Sequence, residues 1–166
     1  MREDYIKLGY LENDIENELR EFKCFTKKGN INETYSNNEL LNLLSKYDCS
    51  NVRIGILVFY ENVEETDNYY ILGEAETDLL TLNKVTLEIQ VLDYTNTDYV
   101  IYNCASNGEN FMDALLLAAN LFSNRIKDLN LAFNEYYTYE FVVACSSKAG
   151  GDKYLDFYKV LLGCDS

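Results

Sequence analysis

Val52-Arg53-Ile54-Gly55-Ile56-Leu57-Val58-Phe59-Tyr60 is apolar at nearly every position and rich in β-branched and aromatic residues. A run of this kind predicts a strand covered on both faces. Downstream, Tyr69 to Leu72, Asp78 to Leu82, Val85 to Leu92 and Tyr99 to Cys104 are also rich in β-formers. They are separated by short polar turns, Leu82-Asn83-Lys84 and Asp93-Tyr94-Thr95-Asn96-Thr97-Asp98. Parallel crossovers need a dozen or more residues, so connections this short predict an antiparallel meander.

Helical patterns flank this block. Ile15, Leu19 and Phe22 recur at helix spacing after Asn13 or Asp14. Ser36-Asn37-Asn38-Glu39 resembles a capping box, with Ser36 as the cap, ahead of Leu40, Leu41, Leu43 and Leu44. Asn107-Gly108-Glu109-Asn110 opens a helix to about Ser123, with Phe111, Leu115, Ala118 and Phe122 on one stripe. The segment from Asn130 reads two ways. Phe133, Tyr137, Phe141 and Cys145 step by four as on a helix, yet Tyr136 to Val143 is rich in β-formers; the four-residue step favours the helix. Tyr154, Phe157, Tyr158 and Leu161 form a last short helix. The fold class is therefore α+β, an antiparallel or mixed sheet of about five strands with helices packed against it. No linker or repeat divides the 166 residues, which read as one domain: helices over 1–50, sheet over 51–105, helices over 106–166.

Chemistry is limited by composition. The chain has no histidine, which excludes the Ser-His-Asp triad, the Cys-His pair and His-ligated metals. Neither GxxxxGK[ST] nor GxGxxG occurs, so no phosphate-cradling loop is expected. Cys24, Cys49, Cys104, Cys145 and Cys164 form no CxxC pair and are expected to be reduced and shielded. Oxygen ligands cluster at Glu61 to Asp67 and at Asp93 to Asp98, but neither stretch has EF-hand spacing, and solvated carboxylates are the expected state. No metal and no cofactor is expected. The N-terminal residues lack the pattern of a signal peptide and no apolar run is long enough for a membrane helix, so a cytoplasmic location is expected.

Charge is the informative feature. Lys and Arg number 14 against 28 Asp and Glu, a formal charge of −14, which disfavours nucleic acid and anionic membranes as partners. From Ile54 to Asn124 one cation, Lys84, stands against twelve acids. A one-signed field costs self-repulsion and is useful for steering a basic partner. Acids expected in turns or at strand ends are the candidate partner-facing set: Glu61, Glu64, Glu65, Asp67, Glu74, Glu76 and Asp78, with Asp93 and Asp98. Tyr69 and Tyr70 are candidate anchors among them. The residues thus predict a non-catalytic protein-binding domain of undetermined oligomeric state. A scaffold or regulatory adaptor shares these physics, and a carboxylate-based hydrolase is the rival from another class.

Tyr70-Ile71-Leu72-Gly73-Glu74-Ala75-Glu76-Thr77-Asp78-Leu79-Leu80-Thr81-Leu82, followed by Lys84-Val85-Thr86-Leu87-Glu88-Ile89-Gln90-Val91-Leu92-Asp93, resembles the SMI1/KNR4 (SUKH) superfamily. The similarity extends through Tyr99 to Ala105, the Ser106-Asn107 turn and Glu109-Asn110-Phe111-Met112-Asp113. The chain departs from it in having no Trp and only Leu43-Leu44-Ser45-Lys46-Tyr47-Asp48 ahead of the sheet. The resemblance implies an α+β domain of immunity-protein type. Such a domain would bind and neutralise a toxin, commonly a basic nuclease or deaminase.

Overall fold

The computed structural model describes residues 26–28 and 38–164. The expected helix around Ile15 to Phe22, Cys24 and Ser36 lie outside them. Six strands form one antiparallel meander in sequential order: β3 (Arg53–Ile54), β4 (Leu57–Glu65), β5 (Tyr69–Ala75), β6 (Asp78–Asn83), β7 (Ile89–Leu92) and β8 (Val100–Ala105). A small separate ladder joins β1 (Thr26–Lys27) to β2 (Tyr47–Asp48). The α+β class and the antiparallel order match the sequence reading, with one strand more than the five expected.

That extra strand arises inside the apolar run ahead of the other strands. Val52 to Tyr60 is a hairpin rather than one strand, because Gly55 sits at φ 59 as the first turn residue between β3 and β4. Positive φ at that place is what a two-residue hairpin turn of the II′ kind needs. A second difference lies at Val85 to Leu92, of which only Ile89 to Leu92 is strand. The Asn83 side-chain oxygen accepts hydrogen bonds from the Val85 and Thr86 amides, winding the first half into a turn.

Among the described residues five α-helices complete the fold: α1 (Glu39–Lys46), α2 (Gly108–Lys127), α3 (Leu129–Ala132), α4 (Glu135–Ala149) and α5 (Leu155–Leu162). The first is capped by Asn38, whose side chain accepts from the Leu41 amide, two residues beyond the expected Ser36. Asn107 caps α2 in the same way through the Asn110 amide. The ambiguous segment resolves as helix α4, with Thr138, Val142, Cys145, Ser146 and Ala149 on its buried face. Phe133 precedes it and is 87% exposed, so the four-residue stripe begins at Tyr137. Among the described residues no helix is long and apolar enough to cross a membrane.

One hydrophobic cluster joins the inward residues of α1, α2, α4 and α5 to one face of the sheet, including Phe59, Leu80 and Val91. The strand row Phe59, Gly73, Leu80, Val91, Tyr102 marks that face, for the Tyr102 ring packs 6.3 Å from the ring of Phe157 on α5. Cys104 and Cys145 are buried thiols within this core, and Cys49 and Cys164 are buried as well, in line with the expected shielding. Burial pushes the Cys104 thiol far up and that of Cys145 to about 12.

Tyr158 is fully buried beside these thiols, and its hydroxyl has no hydrogen-bond partner among the described residues. Burial, and then Cys104 and Cys145, raise its pKa strongly; Tyr154 is raised to about 12. Above about pH 9 the unfolded chain sheds thiol and phenol protons that the folded chain keeps. The unfolded state then binds fewer protons, so stability should fall as pH rises through that range. Tyr158→Phe should raise stability at neutral pH by about 1 kcal/mol, since it removes an unpaired buried hydroxyl, and should make the alkaline decline shallower. Urea unfolding midpoints of both proteins from neutral to alkaline pH check this. A Tyr158→Phe protein less stable at neutral pH would mean that the hydroxyl is bonded in solution.

Candidate functional site: an acidic groove on the open sheet face

The β4–β5 pairing is interrupted. Phe59 pairs with Gly73, and the next matched pair is Glu64 with Ile71, so Tyr60, Glu61, Asn62 and Val63 oppose the single residue Leu72. Leu72 is itself an extra residue against β6, since Ile71 pairs with Thr81 and Gly73 with Leu80. Bulges bend a strand and increase its twist, and here Tyr60 to Val63 leave the ladder before pairing resumes at Glu64. The Lys28 ammonium satisfies a carbonyl in that stretch, donating to Glu61 O and, at 2.9 Å, to Leu44 O. Gly73 permits the approach at the point where pairing breaks. A methyl group there would stand 2.1 Å from the Val58 carbonyl oxygen and 2.8 Å from Phe59 Cα.

Under this bulge, on the sheet face away from the helices, lies an open groove of about 780 Å3. Side chains alternate across a strand, so this face carries the row Val58, Glu74, Leu79 with Ile71 and Glu64 beside it. Val58, Ile71 and Leu79 form the apolar floor, while Tyr60 and Tyr94 stand on the walls. Among the described residues every charged group lining the groove is a carboxylate: Glu61, Glu64 and Glu74. The Tyr60 hydroxyl donates to Glu74 Oε2 at 3.5 Å, a long contact. Its pKa is raised, first by burial and then by Glu74 and Glu64, with Tyr94 contributing. The phenol therefore stays protonated well above neutral pH. Arg53, opposite Val58 at the sheet edge, turns its Nε onto Gly55 O at 3.3 Å.

The acids expected to form one surface fall into distinct groups. Glu61, Glu64 and Glu74 meet at the groove, on strands rather than on turns. Glu65 pairs with Lys84, whose ammonium also lies 4.8 Å from the centre of the Tyr70 ring. Tyr70 packs against the core and is a structural residue before it is an anchor, and Tyr69 is half-buried. Asp78 accepts from the Tyr94 amide at 3.1 Å and so holds the start of the β7–β8 connection beside the groove. Asp93 closes that connection by accepting from the Thr95 hydroxyl and from the Thr95 and Asn96 amides, and these bonds, the hydroxyl's first, lower its pKa. Asp67, Glu76 and Asp98 are exposed outside the groove lining. Among the described residues no group of three or more Cys, Asp or Glu side chains is placed to hold a metal ion. Tyr60 and Tyr94 escaped the sequence reading. The signal available for Tyr60 was an aromatic at the end of an apolar run, immediately before Glu61.

No protein-family model, curated protein or solved structure matches the chain.

The groove depends on the glycine beneath it. Gly73→Ala should cost about 2–3 kcal/mol, because the methyl meets backbone on the opposing strand and cannot be relieved by a rotamer change. Urea unfolding checks the loss. A loss under about 0.5 kcal/mol, the range of ordinary surface substitutions, would show that β4 and β5 can separate there without penalty.

Proposed function

We propose that the chain is a non-catalytic protein-binding domain that recognises a basic partner through the open face of its sheet. The observation that carries this reading is the groove at the β4 bulge, in which three carboxylates, two tyrosines and an apolar floor are combined and, among the described residues, no basic side chain takes part. Interfaces favour tyrosine anchors, and a cleft with low-dielectric walls focuses the field of a protein of net charge −14. The resemblance of Tyr69 to Phe122 to the SMI1/KNR4 superfamily agrees with a role of immunity-protein type, in which the partner is a basic toxin with nuclease- or deaminase-like chemistry. A cytoplasmic site of action belongs to the same proposal. A scaffold or adaptor would use the same face on a different partner.

The test is kinetic, made on the partner that co-purifies with the native chain. Reversing Glu61, Glu64 and Glu74 to Lys should slow association at least tenfold at low salt and flatten its salt dependence, because electrostatic steering fades as the Debye length shrinks from ~10 Å at 0.1 M to ~3 Å at 1 M. Association that is unchanged in the triple variant and insensitive to salt would reduce the acidic face to a solvated surface. The hydrolase alternative has its own measurement. Turnover of a glycoside by the purified protein, abolished by Glu74→Gln, would replace the binding reading with an enzymatic one.

A further inference from the structure

We propose that the groove is a receptor for one arginine side chain presented by the partner, with the guanidinium over the Tyr60 ring between Glu64 and Glu74. This rests on the protein-binding reading and specifies what that face recognises. Four observations lead to it. Among the described residues no cation pairs with Glu61, Glu64 or Glu74. Among the described residues the nearby basic groups are committed: Lys84 to Glu65, Lys28 to the Leu44 and Glu61 carbonyls, and Arg53 to Gly55 O. The floor of Val58, Ile71 and Leu79 suits the alkyl stem of a long side chain, and a volume of about 780 Å3 admits the stem together with the backbone that presents it. Finally, Tyr60 lines the same space, with its hydroxyl 3.5 Å from Glu74 Oε2.

Arginine is favoured over lysine by the kind of site this is. Guanidinium is planar, more weakly hydrated than ammonium, stacks on aromatic rings and can be held by two carboxylates through separate N–H groups. Ammonium is a strongly hydrated point charge with no matching plane.

The experiment is a 1H–15N titration of the full chain at low salt with Nα-acetyl-arginine methylamide, and in parallel with Nα-acetyl-lysine methylamide. The amides of Val58, Ile71, Leu79 and Tyr94 should shift together, and the arginine compound should bind several-fold more tightly than the lysine compound. Glu74→Gln and Tyr60→Leu should each weaken the arginine compound about five- to tenfold, while Tyr60→Phe should keep more affinity than Tyr60→Leu because the ring is retained. Folding of each variant is read from the same spectra. Equal binding of the two compounds, shifts centred on Asp67, Glu76 or Asp98 instead of the groove, or no binding would each overturn the arginine receptor. None of these results decides whether the acidic face binds a partner, which the association rates of the Lys triple variant measure separately.

Discussion

The structure depends on one close approach of main chain to main chain. At Gly73 the β5 backbone lies against Val58 and Phe59 with no room for a β-carbon, and just beyond that point the two strands lose their register. On the helix side, the row from Phe59 to Tyr102 remains continuous and carries the core. On the other side, the unpaired stretch Tyr60 to Val63 leaves a recess that a regular ladder would have filled with paired side chains. β8 repeats the device more mildly, for Cys104 and Ile101 are extra residues against β7. Irregularities in β4, β5 and β8 curl a six-stranded meander so that one face holds helices and the other holds a groove.

The distribution of charge follows from this geometry. An excess of acid in the middle of the chain is tolerable because the acids do not all share one environment. Glu88 is tied to Lys153 and to the Tyr154 hydroxyl, which fastens the β6–β7 turn to the C-terminal region. Glu65 is tied to Lys84, and Asp93 to backbone amides. These contacts are partly exposed, and each contributes modestly to stability. The groove carboxylates are different. Glu74 accepts from the Tyr60 phenol, a neutral donor, and among the described residues no cation pairs with Glu61, Glu64 or Glu74, so their charge is left available to a ligand.

Much of the fold was legible in the sequence, and what was not has a physical reason. The strands β5, β6 and β8, the helix after Asn107 and the final helix were readable because period and cap residues agree there. The break at Gly55 was hidden by its neighbours, since Ile54, Ile56 and Leu57 make the run look continuous and one glycine is compatible with a strand. Val85 to Glu88 carries a β-rich composition but is bent by the Asn83 side chain, with Leu87 held at φ 62, a conformation that composition does not announce for leucine. Of the site, Glu61, Glu64 and Glu74 were found from charge alone, whereas Tyr60 and Tyr94 were not. Tyr60 carried only the faint signal of an aromatic closing an apolar run, because the recess it lines is made by the four-against-one bulge; bringing Tyr94 there requires the Asp78 contact with its amide, a tertiary fact without a local pattern.

The distinction between acids on loops and acids on strands bears on what such a surface can recognise. Exposed loop carboxylates such as Asp67 and Asp98 are screened by water and salt and attract any cation at long range. They raise encounter rates without choosing a partner. Glu64 and Glu74 are fixed by paired strands, at a spacing set by the Glu64–Ile71 and Val58–Glu74 pairs, and they flank apolar side chains that lower the local dielectric. A cation entering between them loses water that only a well-matched geometry replaces, so a misfitting ligand is penalised there and not on a loop. In the proposed role, attraction is spread over the whole acidic middle of the chain, while discrimination is confined to the recess that the β4 bulge creates.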